Sequence, residues 1–108
     1  MAAVFDFLKG SNCMILSFSH KGLERFFNRG DLTGIQPAHQ GKLSLILDRL
    51  HTAMNPLDMR LPGWRLHCYK GTGKNKPDIW SVDVDGNTRV LFSFDGVNAV
   101  KVDYGDPH

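Results

Sequence analysis

A change in hydrophobic period near residue 60 restricts this chain more than any other feature. Before it, apolar residues recur at spacings of three and four; after it they alternate, and the two patterns suit different secondary structures. Leu23, Phe26 and Phe27 fall on one face of a predicted first helix, with Ser19 placed to cap its start and Gly30 to end it. Pro37 suits the first turn of a longer second helix, whose apolar stripe is Leu43, Ile46, Leu47, Leu50 and Met54 and whose end is Asn55-Pro56. Downstream, WRLHCYK, IWSVDV, TRVLFSF and NAVKVDY read as strands, with Asp85-Gly86 and Asp95-Gly96 as hairpin turns joining the last three. Ahead of both helices, ILSF reads as one more short strand. Helices first and strands afterwards predict an α+β fold, two N-terminal helices packed on one face of an antiparallel β-sheet.

Alternation then sorts the side chains. Leu66, Cys68, Trp80, Val82, Val84, Val90, Phe92, Val100 and Val102 are expected toward the helices. Arg65, His67, Tyr69, Ser81, Arg89, Lys101 and Asp103 are expected on the other face, which no remaining element is left to cover. With 108 residues the chain is sized for one domain. That domain is placed at residues 14–108, and residues 1–13 are expected to be an N-terminal extension. Cys13 and Cys68 make neither a CxxC motif nor a disulfide framework, and no run of about 18 apolar residues signals a membrane span. The expected compartment is the reducing cytoplasm.

The formal charge of +2 says little, but its distribution says more. From Arg60 to Lys76 five cations occur with no acid, whereas Asp78 to Asp106 carries six aspartates against Arg89 and Lys101. Trp64, His67 and Tyr69 are interleaved with the first group, so that stripe can meet both phosphates and unstacked bases. Arg65, Tyr69, Lys74 and Lys76, with Lys101 from the uncovered face, are the RNA contacts this reading selects; a solvated basic loop accounts for Lys74 and Lys76 equally well.

No P-loop, GxGxxG, HExxH or GxSxG motif occurs, and no two histidines stand at metal-ligand spacing on one element. His20, His39 and His51 lie near predicted helix ends and are expected to be solvent-exposed. What remains is an acid–base and cationic set: His67, Lys70, Arg89, Asp106 and the terminal His108. It suits cleavage of a phosphodiester by the RNA's own 2'-hydroxyl, which needs a base, an acid for the leaving oxygen, and positive charge near the phosphoryl oxygens. Such a reaction needs neither metal nor cofactor, and histidine, with an unperturbed pKa near 6.5, serves either proton transfer.

MILSFSHKGLERFF, LPGWRLHCYKG, IWSVDVDGNTRVLFSF and VDYGDPH resemble, in order, the four blocks of HigB-type toxins of the RelE/ParE superfamily, from Met14 to His108. The resemblance implies a RelE-like fold and a toxin of a type II toxin–antitoxin system that cleaves mRNA on the ribosome. It also implies neutralisation by a HigA-like helix-turn-helix antitoxin, through which the complex binds operator DNA. The family's catalytic positions fall on His67, Lys70, Arg89, Asp106 and His108, and the aromatic of its last block on Tyr104, counted with the RNA contacts. Two positions depart from the pattern: Pro107 stands where many members have tyrosine, and Thr88 where many have tryptophan. A ParE-like inhibitor of DNA gyrase on the same fold and a non-catalytic RNA-binding module remain open alternatives.

Overall fold

The change of period becomes a change of element. In the computed structural model, which describes residues 14–71 and 77–105, α1 spans Lys21–Arg29 and α2 spans Gln40–Thr52. Helix α1 is capped by His20, not by the expected Ser19: the imidazole Nδ1 accepts the Leu23 N–H at 2.9 Å, so a ring nitrogen does what a hydroxyl oxygen was expected to do. Gly30 ends the helix in the left-handed region, φ 69°, where glycine meets no Cβ clash. Pro37 opens a 3₁₀ turn, Pro37–His39, that leads into α2.

Helix α2 stops short of Met54. The Asp58 carboxylate accepts the Met54 N–H and Asn55 Oδ1 accepts the Leu57 N–H, which bends the chain into a second 3₁₀ turn, Pro56–Met59. Met54 is consequently exposed, and Met59 is fully buried instead.

The strands are β1 His67–Tyr69, β2 Ile79–Asp83, β3 Arg89–Asp95 and β4 Asn98–Gly105, an antiparallel sheet in the order β1-β2-β3-β4. Residues 14–19 run parallel to β4 but bridge it only at Ile15–Ala99 and Phe18–Val102, so the expected ILSF strand is two isolated bridges. Within β4 a bulge resets the alternation. Leu91 faces Asp103 and Ser93 faces Val100, three steps on β4 for two on β3. Lys101 takes a φ of 54° there, and its N–H is held by Ser17 Oγ at 2.8 Å. As a result Ala99, Val102 and Tyr104 are buried, while Val100, expected in the core, is only half-buried.

One core cluster joins Leu23, Leu43, Ile46, Leu47 and Leu50 of the helices with Val82, Val90, Phe92, Ala99 and Val102 of the sheet. Full burial of each aliphatic side chain contributes about 1.5–3 kcal/mol, so the helices and the sheet stabilise one another. Trp64 belongs to this core as well, with the Lys42 ammonium 5.5 Å from its ring centroid, and is not free to meet RNA bases. Among the described residues no helix is long and apolar enough to cross a membrane.

Candidate active site

The β2–β3 hairpin brings the first two site residues together. Its register places Asp83 opposite Arg89 and Ser81 opposite Leu91, on the sheet face turned away from the core. Arg89 Nε lies 3.2 Å from Asp83 Oδ1, and Arg89 Nη1 donates to the Tyr69 phenol oxygen at 2.5 Å. Arg65 approaches the same carboxylate from the side, Nε to Oδ2 3.6 Å, with its own backbone at φ 53° and its side chain 80% exposed. His67, opposite Ser81 on β1, is exposed and meets the Tyr69 ring edge-on, with centroids 4.5 Å apart at 73°.

Arg65, Leu66, His67, Asp83 and Arg89 line a depression of about 300 Å³. Two guanidiniums against one carboxylate leave it net positive. A guanidinium carries five N–H donors; Arg89 uses one toward Asp83 and one toward Tyr69, and among the described residues the others have no partner. Asp83 and Tyr69 therefore hold the arginine's fork in place while leaving donors for an incoming phosphate. Ser81 lies midway along β2 between Ile79, which pairs with Tyr69, and Asp83, which pairs with Arg89, so the Arg89–Tyr69 bridge spans it. Ser81 was expected to be uncovered; it is fully buried, and its hydroxyl has no hydrogen-bond partner among the described residues.

Lys70 stands apart from this group. Its ammonium is 3.7 Å from Asp78 Oδ2, and it borders a second depression of about 580 Å³ together with Leu91, Ser93, Lys101 and Asp103. The Gly71 N–H, donated to Asp78 at 3.0 Å, is the main reason that carboxyl is held below the usual carboxylate range. Asp106, His108, Lys74 and Lys76 lie outside the described residues.

Tyr104 is on the other side of the sheet, and the reading of it as an RNA contact is corrected here: it is a buried member of the core cluster. Strand β4 alternates regularly from Val102 to Tyr104, so both face the core, and it was the resemblance to the family's aromatic block, not the strand pattern, that set Tyr104 among the RNA contacts. The Tyr104 hydroxyl is 2.6 Å from His39 Nδ1 and accepts the Gln36 N–H at 3.4 Å. His39 Nε2 is 2.7 Å from Asp85 Oδ2. The network closes without conflict when Nε2 carries the hydrogen: Tyr104 donates to Nδ1 and Nε2–H donates to Asp85. Asp85 also accepts the Asn87 and Thr88 N–H groups at 2.8 Å each, and these contacts, the Asn87 N–H foremost and then His39, lower its carboxyl to about 2. Burial pushes the Tyr104 phenol up. His39, expected in solvent, is thus 5% exposed, and the other two helix-end histidines are half-buried and engaged, His20 as a cap and His51 by accepting the Ile15 N–H at 3.2 Å.

The residue that sequence reasoning missed is Asp83. Its signal was present: a turn centred on Gly86 pairs position 83 with 89, so an aspartate faces the chosen arginine. The assembled group offers a fixed cationic fork, a phenol and an accessible imidazole, which together can hold a phosphodiester and move a proton.

Residues 16–108 match the family described as RelE-like toxin of the type II toxin-antitoxin system HigB. The chain is also 30% identical over 95 residues to Endoribonuclease HigB of Proteus vulgaris, a stretch that covers 88% of this chain and 100% of that protein.

Proposed function

Because the chain belongs to the RelE-like HigB toxins of type II toxin–antitoxin systems, we propose that it is an endoribonuclease that cuts mRNA held in the ribosome. The activity is that named for the similar Proteus vulgaris protein. The observation that carries the reading is the Arg89 fork, held by Asp83 and Tyr69 beside the exposed His67, in a net-positive depression.

In the reaction we assign, the 2'-hydroxyl attacks the adjacent phosphorus, and His67 and His108 share the base and acid roles. Arg89 binds the phosphoryl oxygens, where negative charge grows in the transition state. Lys70, beside the second depression, takes a flanking phosphate, and Asp106 orients a histidine. Arg65, Lys74, Lys76 and Lys101 follow the RNA backbone. A shallow face of this kind positions substrate weakly, so the ribosome supplies the reactive geometry. The RelE-like arrangement, with α1 and α2 backing the sheet, leaves this face available. The cognate partner is a HigA-like helix-turn-helix antitoxin that also carries operator binding, and the compartment is the reducing cytoplasm.

Primer extension on ribosome-bound mRNA after brief induction is the test. Codon-phased breaks that leave a 2',3'-cyclic or 3'-phosphate and a free 5'-hydroxyl, undiminished by EDTA, are expected. Growth arrest with intact mRNA and inhibited gyrase would overturn the reading in favour of a ParE-like inhibitor.

A further inference from the structure

Resting on that ribonuclease reading, we propose that Tyr69 is a catalytic residue whose phenol donates a hydrogen bond to a non-bridging oxygen of the scissile phosphate. Its interleaving with basic residues pointed to base stacking; its contacts point elsewhere. The phenol oxygen accepts from Arg89 Nη1 at 2.5 Å. Accepting leaves the phenol's own O–H free to donate. Among the described residues it has no acceptor for that hydrogen, and the Ser81 hydroxyl beneath the bridge takes none.

The ring is also fixed. Its edge-on contact with His67 and its place on β1, paired with Ile79, hold the oxygen against Arg89, and both His67 and Arg89 line the depression. A phosphoryl oxygen that takes a remaining Arg89 donor at the usual charge-assisted distance of about 2.7–2.9 Å is brought alongside the phenol. Arginine and tyrosine then form a two-donor site. As the 2'-oxygen–phosphorus bond forms and the phosphorus–5'-oxygen bond breaks, charge accumulates on the non-bridging oxygens. A donor aimed there strengthens toward the transition state, so it raises the rate of the step more than it raises affinity. The phenol keeps its proton throughout; the proton transfers stay with the histidines.

The test is single-turnover cleavage on programmed ribosomes, with mRNA carrying an oxygen or an Rp or Sp sulfur at the scissile linkage. Tyr69→Phe keeps the ring and its contact with His67, so the thermal melt should be near that of the wild type. Its cleavage rate at saturating ribosome should fall about 10- to 100-fold, as for the loss of one hydrogen bond to a charged group, with ribosome association unchanged. Sulfur should slow the wild type at one diastereomer, and that penalty should shrink in Tyr69→Phe, because the donor that met that oxygen is gone. A Tyr69→Phe enzyme with full rate overturns the proposal, as does one that is slow but keeps the wild-type sulfur penalty, which would mean Tyr69 only holds Arg89. Rescue by Tyr69→Trp would assign the ring to base stacking instead. A wild-type chain that cuts no ribosome-bound mRNA would remove the ribonuclease reading itself, an outcome distinct from all of these.

Discussion

His39 and His67 each lie near a tyrosine and an aspartate, yet one group is closed inside the fold and the other opens on the outer face. His39 is 5% exposed and bonded at both ring nitrogens, to Tyr104 and to Asp85. His67 is exposed, with only a ring contact to Tyr69, while the neighbouring aspartate, Asp83, is committed to Arg89 and Arg65. The difference lies in where spare hydrogen-bonding capacity is left. The inner group uses all of its capacity to tie α2's approach, the β2–β3 turn and β4 together. The outer group spends part on holding Arg89 and leaves N–H, O–H and imidazole groups for a ligand.

Removing the central histidine from each group should break the comparison most sharply. His67→Ala should lower cleavage by about 10²–10⁴-fold, the usual contribution of a positioned acid or base, and change stability by less than about 0.5 kcal/mol, as at other exposed positions. Single-turnover cleavage and a denaturant melt of the same sample would check both halves; retention of the full rate would move His67 to the inert class. His39→Ala should do the reverse. It leaves the buried Tyr104 hydroxyl without its acceptor and opens space against the core, a loss of about 2–4 kcal/mol in stability. Cleavage per folded molecule should be preserved.

A smaller effect should separate the groups by pH. The Asp85 carboxyl is lowered to about 2 by its hydrogen bonds. A depressed folded-state pKa contributes stability that is fully present above the unfolded value near 3.9 and is lost as pH falls through the folded value. The wild type should therefore lose thermal stability as pH falls from about 4 toward about 2, and Asp85→Asn should flatten that part of the profile. A variant with the wild-type slope would show that other carboxylates govern acid unfolding.

The same contrast explains how much was legible beforehand. Elements were readable where periodicity and turn chemistry agree: α1 ends at Gly30, and both aspartate–glycine hairpins join the strands expected. His67 and Arg89 were readable because the alternation of β1 and β3 is regular up to the site. Val100 was misplaced because the Lys101 bulge adds one residue, and one residue exchanges the faces of a strand. Tyr104 was misread because it was taken from the family's aromatic block, although alternation from Val102 carries it into the core. His39 was misread because its partners are 46 and 65 positions away in the chain, which no local pattern reports. His20 was passed over as a cap because a hydroxyl stood beside it, and the choice between them depends on chain entry geometry.

Lys101 gives the smallest expected effect and the finest separation of backbone from charge. It is exposed, it occupies the left-handed region at φ 54°, and it borders the second depression on the outer face. A side chain in that region costs roughly 1–2 kcal/mol relative to glycine, so Lys101→Gly should raise stability and Lys101→Ala should not. Both variants lose the same charge. If Lys101 meets an RNA phosphate as assigned, each should weaken ribosome association and reduce its dependence on log salt by about 0.7–0.9, the counterion release of one contact. Equal salt slopes with unequal melts would assign the lysine's charge to RNA and its backbone to the bulge. A slope unchanged from the wild type in both would confine Lys101 to its role in β4, where it sets which face Val102 and Tyr104 present.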